Sequence, residues 1–207
     1  MKITKYEHAC LDITEGNTRI VIDPGKFSTS LTDYQNINGV VITHIHSDHF
    51  VKENVLKIIE QNPEVQVFTN QQVANEIQNS AVTIAKAGDT AQVKDATLSF
   101  YGGQHEFYGE FENIAVMIND KLYHPGDSYT VPNKQFEVLA APASAPWLRV
   151  RDASDFIVKC KPKIAFPIHN MILSPEGEEI HYRALKAVCD ENNIEWQVLT
   201  SGESLTV

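Results

Sequence analysis

Hydrophobic positions in the first forty residues fall in short runs: Ile3 to Tyr6, Ala9 to Ile13, and Arg19 to Ile22 after Gly16-Asn17, the last closed by Asp23-Pro24-Gly25. Such runs between Gly, Asn and Pro punctuation predict a β-meander. Val40, Val41 and Ile42 form a β-branched run, the pattern of a strand buried on both faces. The period then changes, because Val51, Val55, Ile58 and Ile59 recur at helical spacing. A strand over Val65 to Phe68 and a short helix over Val73 to Ile77 follow. Strands are next predicted at Ala91 to Val93, Thr97 to Tyr101, Ile114 to Ile118, Leu122 to Tyr123 and Phe136 to Leu139. Ala153, Phe156, Ile157 and Cys160 mark a helix that Pro162 stops. A strand at Ile164 to Phe166 leads to a helix capped by Ser174, with Pro175 at its first position and an apolar stripe of Ile180, Ala184, Ala187 and Val188. Trp196 to Leu199 is the last predicted strand.

Each half of the chain therefore runs from strands toward strand-helix units, with no Gly/Ser/Pro-rich linker, repeat or low-complexity tract. Two packed sheets with helices on their outer faces would bury these apolar faces most simply. A length of 207 residues with 43% hydrophobic and 21% charged residues suits a soluble domain with a sizeable core. The formal charge of −10, from 17 basic and 27 acidic residues, opposes non-specific binding to nucleic acid or to an anionic membrane. The stretch Met1 to His8 lacks the apolar core of a signal peptide, and no run reaches membrane-spanning length, so a cytoplasmic protein is expected. Cys10, Cys160 and Cys189 are odd in number and far apart, which predicts reduced packing residues in place of disulfides or zinc ligands.

The chemistry concentrates directly after the Val40 to Ile42 strand, where His44, His46, Asp48 and His49 stand in the spacing HxHxDH. His44 and His46, two apart on extended chain, point to the same side. Once the chain turns, Asp48 and His49 can face a second position. Packing gives no reason to crowd imidazoles there, and burying them unpaired is costly, so the pattern predicts a metal site. Three further predicted strands also run into polar residues: one reaches Gln104-His105, one His124-Pro125-Gly126-Asp127-Ser128, and one Pro167-Ile168-His169-Asn170.

The HxHxDH segment, followed by an isolated His, an Asp and a final His at these separations, resembles the metallo-β-lactamase superfamily across nearly the whole chain. Gly102-Gly103-Gln104-His105, Tyr123 to Ser128, Ala141-Pro142 with Ala145-Pro146-Trp147, and Pro167 to Asn170 are similar to its L-ascorbate-6-phosphate lactonase-like branch. The resemblance implies an α/β (α+β) fold, a four-layer αββα sandwich of two similar halves, formed by residues 1–207 as a single domain. It implies that His44, His46 and His105 bind a first metal ion, that Asp48, His49 and His169 bind a second, and that Asp127 bridges both. His8 and Asp23 are expected just outside the ligands, Asp23 bonding the far ring nitrogen of a ligand His, whereas His124 reads as structural and His181 as solvated. Lactonase-like relatives often carry a second His four residues after the position matching His105; this chain has Glu106-Phe107-Tyr108-Gly109. That departure bears on substrate and leaves the metal set intact.

Two divalent ions, zinc first and manganese, iron, cobalt or nickel as alternatives, would lower the pKa of a shared water toward neutrality and polarise the scissile bond. Asp48 would orient the resulting hydroxide and Asp127 would hold the ions together, the catalytic pair of a binuclear hydrolase acting on a small, anionic ester, lactone or phosphodiester. Trp147 is expected to wall the pocket, and Arg149 or Arg151 to hold an anionic substrate group. A nuclease of the same fold is disfavoured by charge and by the lack of a basic insertion, and a non-catalytic metal binder by the completeness of the ligand set. No GxSxG or P-loop pattern offers a competing chemistry.

Overall fold

In the computed structural model, which describes residues 1–107 and 110–207, the strands form two seven-stranded sheets. The first takes β1 (Lys2–Lys5), β2 (Leu11–Glu15), β3 (Thr18–Ile22), β4 (Gly39–Ile42), β5 (Gln66–Thr69) and β6 (Val82–Ile84) side by side in chain order. The second takes β7 (Thr90–Val93), β8 (Ala96–Gly102), β9 (Ile114–Ile118), β10 (Leu122–His124), β11 (Val138–Pro142), β12 (Ile164–Ile168) and β13 (Glu195–Trp196). A final strand, β14 (Ser204–Thr206), returns to the first sheet and pairs antiparallel with β1, Leu205 opposite Ile3.

Both sheets follow one grammar. β1 to β3 form an antiparallel meander, after which β3 to β6 are parallel; β7 to β10 are antiparallel, after which β10 to β13 are parallel. Parallel neighbours need a crossover. α1 (Lys52–Gln61) and α2 (Gln71–Ile77) supply those on either side of β5, and α3 (Val150–Cys160) and α4 (Pro175–Glu191) those on either side of β12. Because helices cover one face of each sheet and the other sheet covers the opposite face, central strands are apolar throughout: β4, β9 and β11 are buried at every position.

Three apolar layers result. Ile3, Ile13, Ile20, Phe68, Phe100, Val116 and Phe166 fill the space between the sheets. Val55, Ile58 and Val73 pack on Val40, Ile42 and Val67 outside the first sheet. Phe156, Ile157 and Leu185 pack on Ala115, Leu139 and Ala165 outside the second. This is the four-layer αββα sandwich expected from the sequence. No helix among the described residues is long and apolar enough to cross a membrane. The three cysteines are buried and free, and burial pushes the thiol of Cys160 up to about 12 and that of Cys189 to about 11.

Two expectations change. The strand predicted at Trp196 to Leu199 is only Glu195–Trp196, and the strand that closes the first sheet lies later, at Ser204–Thr206. Helix α4 is rotated from the predicted stripe: Leu185 and Cys189 are buried with Tyr182 packed beside them, while Ile180 is 57% exposed and Ala184 and Ala187 face solvent. Burying a Leu, a Cys and much of a Tyr removes more apolar surface from water than burying an Ile and two alanines. His181, expected to be solvated, follows this rotation and bonds through Nδ1 to the carbonyl of Ala143 at 2.8 Å.

Candidate metal centre

The chemistry-bearing residues lie just beyond the carboxyl ends of strands: His44, His46, Asp48 and His49 after β4, His105 after β8, Asp127 after β10 and His169 after β12. Both halves of the chain therefore contribute to one edge of the sandwich. Two groups form there. His44, His46, His105 and Asp127 present ligand atoms all within 4.8 Å of one another, and so do His8, Asp48, His49 and His169. The seven residues expected from the sequence are all in these groups; His8 is the addition.

Asp127 sits at the centre. Its carboxylate oxygens lie 3.9 Å from His44 Nε2, 3.2 Å from those of His49 and His105, and 3.1 Å from that of His169. Asp48 Oδ2 is 3.5 Å from His169 Nε2. Close glycines shape the turns that carry these groups. A Cβ on Gly25 would stand 1.9 Å from the carbonyl oxygen of Asp48, and one on Gly126, at φ +60, would stand 2.3 Å from Asn113 Oδ1. Asn113 in turn accepts the amide N–H of Asp127 at 3.0 Å and donates to Pro125 O at 2.9 Å.

Hydrogen bonds decide which nitrogen each ring offers. Asp23, fully buried at φ 48, accepts from the amide and hydroxyl of Thr43 and from His49 Nδ1, each at 2.7 Å. With its proton given to Asp23, Thr43 Oγ1 accepts from His44 Nδ1 at 3.1 Å. His169 Nδ1 donates to the carbonyl of Ser144. In these three rings Nδ1 donates its proton away from the centre, which leaves Nε2 as the atom that faces it, with no hydrogen-bond partner among the described residues. His105 Nε2 is also unpartnered there, but its Nδ1 accepts the amide N–H of Phe107 at 2.8 Å. To offer Nε2, His105 must lose that bond.

His8 differs from all four. Its Nδ1 accepts the amide of Met171 at 3.3 Å and its Nε2 donates to Asp48 Oδ2 at 3.1 Å, so both nitrogens are engaged and the ring orients Asp48. Burial is the main cause that lowers its pKa, to about 4, with Asp48 opposing. His124 is structural, as expected: Nε2 donates to Ala9 O at 2.9 Å and Nδ1 accepts from the amide of Gly126 at 3.1 Å.

The electrostatics call for a cation. Burial opposes ionising Asp127, yet His169, His49 and His44 hold its carboxyl well below the usual range; burial likewise opposes a charge on Asp48, which His8, His49 and His169 hold low. Burial also resists a proton on His49, but Asp127 and Asp23 hold that imidazole well above its ordinary value. At His44 burial and the neighbouring imidazoles outweigh Asp127 and push it well down. Ionised carboxylates surrounded by buried, unpartnered Nε2 atoms are a donor set that suits divalent ions.

A cavity of about 150 Å³ opens over the centre, lined by His46, Asp48, His105, Asp127 and His169 together with Phe107, Pro146 and Trp147. Trp147 stands in the wall as expected, and its indole N–H donates to Asp127 Oδ2 at 3.0 Å. Arg149 does not reach the cavity. It caps α3, its side chain is 82% exposed, and its guanidinium grips Asp152 of the same first turn at 2.7 Å. Arg151 is exposed on that helix. Position 109, where a second His is frequent in lactonase-like relatives, lies outside the described residues. Thr43 and Asn113 carry no motif; only their places beside His44 and near Asp127 reveal them.

The chain matches the family described as Beta-lactamase superfamily domain over residues 2–169. It is 31% identical to Protein Rv0786c of Mycobacterium tuberculosis, covering 100% of both chains. It is 23% identical to UPF0173 protein PF0020 of Pyrococcus furiosus over 82% of this chain and 83% of that one. Among solved structures it is similar to Igni18, described as a novel metallo hydrolase from Ignicoccus hospitalis KIN4/I, with a TM-score of 0.79, 20% identity, and coverage of 100% of this chain and 97% of that one. At that identity the likeness is one of fold.

Proposed function

Because the chain belongs to the beta-lactamase superfamily, we propose that it is a binuclear metal-dependent hydrolase in which His44, His46 and His105 hold one divalent ion, Asp48, His49 and His169 a second, and Asp127 both. The observation that carries this is the convergence of four buried, unpartnered Nε2 atoms on one ionised carboxylate. Bound ions would lower the pKa of a water between them and polarise the oxygen of the bond to be cleaved. The chain's own residues do the rest. Asp23, Thr43 and Ser144 fix the tautomers of three rings, His8 holds Asp48 toward the centre, and Asp48 accepts the proton of the attacking water. In net terms one water is consumed: the acyl or phosphoryl centre gains its oxygen, the bond to the leaving oxygen breaks, and that oxygen takes up a proton.

Zinc is the first candidate for both positions, with manganese, iron, cobalt or nickel compatible with the same His and Asp donors. The substrate is a small molecule with an ester, lactone or phosphodiester bond, as resemblance to lactonase-like hydrolases suggests, in a cytoplasmic setting. Metal analysis of protein purified from its own cells should find close to two ions per chain. A panel of those three bond types, assayed with that metal, should then reveal turnover that His46→Ala abolishes. Two ions per chain with no hydrolysis of any panel member would favour a metal-binding protein without this activity.

A further inference from the structure

The charge and shape of the cavity narrow the substrate further, and this step rests on the hydrolytic reading above. Beyond the candidate ligands, the lining among the described residues is Phe107, Pro146 and Trp147, with no Lys or Arg. Three basic side chains attached to the turns around the cavity are engaged elsewhere: Lys26, whose amide bonds to Ser47 O, lies 4.8 Å over the Phe27 ring, and the other two are Arg149 and Lys5. Arg149 pairs with Asp152 in solvent, and Lys5, buried below the His169 turn, donates to Tyr6 O at 3.0 Å and Asn170 Oδ1 at 3.4 Å.

Phe107, on the other side of the mouth, belongs to a stretch of sequence rich in acidic and aromatic residues. Residues 106–112 contain Glu106, Glu110 and Glu112, three aromatics and no basic residue. The described residues Glu106 and Phe111 of this stretch are fastened to the centre: His105 N bonds to Phe111 O at 3.0 Å, Glu106 N bonds to Asp127 O at 3.0 Å, and the Phe111 ring lies 4.6 Å from that of His46. Opposite, Trp147 is stacked edge-on to His105 at 5.9 Å and braced by Tyr129 at 5.3 Å. Phe107, 38% exposed, extends this apolar rim to the surface. Glu106 and Glu112 spend their carboxylates on the amides of Tyr129 and Gln72, so an anionic group away from the reacting bond would meet the ring faces of Phe107 and Trp147, with no Lys or Arg among the described lining residues to pair with, which is unfavourable. A cavity of about 150 Å³ that must also admit the reacting bond above the candidate ligands leaves room for an apolar group no larger than about one ring.

We propose that the substrate carries an uncharged, apolar, ring-sized group that sits between Phe107 and Trp147, and no anionic group apart from the bond that is cleaved. The matched probes are phenyl acetate and 4-sulfophenyl acetate, assayed on protein of measured metal content. Sulfonation makes the ester intrinsically more labile, so a preference for the neutral ester cannot come from leaving-group chemistry. The expected result is a kcat/KM at least about tenfold higher for phenyl acetate, reversed toward the sulfonate in Phe107→Arg, which brings a cation to the rim. Equal or better turnover of the sulfonate by the native chain would overturn the proposal. Should neither ester react, the hydrolytic reading is what suffers, and binding decides the pocket: saturation-transfer NMR should show phenol contacting the metal-loaded protein and 4-phenolsulfonate not. Phenol without a signal, or matched by its sulfonate, overturns the proposal.

Discussion

Asp23 touches no candidate ligand atom, yet it determines which atom His49 offers, by accepting the Nδ1 proton at 2.7 Å while also fixing Thr43, which in turn fixes His44. Removing it frees both rings to change tautomer and strands buried donors. Asp23→Ala should weaken metal binding by about 10–100-fold, measured by competition with a chromophoric chelator; an unchanged affinity would show that Asp23 only shapes its turn. His124 supports a pH prediction of definite sign. It is buried, and burial is the main cause that lowers its pKa; its Nδ1 must stay unprotonated to accept from Gly126. The folded state therefore binds fewer protons at this site than the unfolded chain. Its contribution to stability is complete above the unfolded value near 6.5 and is lost as pH falls below it. Urea melts of the native chain should lose stability as pH falls below that value, and His124→Gln should reduce that slope by up to about 1.4 kcal/mol per pH unit. Parallel slopes would exclude His124 as a source. At this scale the HxHxDH candidates were legible because few packing needs explain clustered imidazoles. Thr43 and Asn113 were not, since each acts through one or two hydrogen bonds that many other surroundings could equally provide.

Strands and helices were legible where the apolar run read the same whatever its phase. β4 and β9 are buried on both faces and could be shifted by a residue without changing their character, so their existence was plain from Val40 to Ile42 and Ile114 to Ile118. α4 is different. Its sequence contains two overlapping apolar stripes, and only the sheet beneath decides that Leu185 and Cys189 face inward. The short strands β6 and β14 have one or no buried side chain each, so their pairing comes from neighbours that the local pattern cannot reveal. The phase of α4 is open to a direct check. Leu185→Ala should cost about 2–5 kcal/mol, as a fully buried truncation does, whereas Ile180→Ala should stay within about 0.5 kcal/mol. A larger loss at Ile180 in denaturant melts would mean that the exposed stripe is covered in solution.

For the whole molecule, the decisive feature is that each candidate ligand group joins the two halves of the chain: His44 and His46 from the first sheet meet His105 and Asp127 from the second, and Asp48 and His49 meet His169. With a formal charge of −10 and ionised carboxylates at this junction, the apoprotein concentrates negative charge where its two sheets converge. A cation bound there pairs with those carboxylates and links loops from both halves, which an unfolded chain cannot do. Ions that bind only the folded state stabilise it by about 2.7 kcal/mol at a free concentration one hundred times Kd. In a chain of 207 residues, where 1 kcal/mol shifts Tm by roughly 2–4 °C, removal of metal by chelation and dialysis should lower Tm by about 5–10 °C, and stoichiometric metal should restore it. The shift should shrink in His169→Ala and in His46→Ala, each of which removes a donor from one group only. If the stripped and loaded proteins melted together, the buried imidazoles would have to be stable without an ion, and their unpartnered Nε2 atoms would need another ligand.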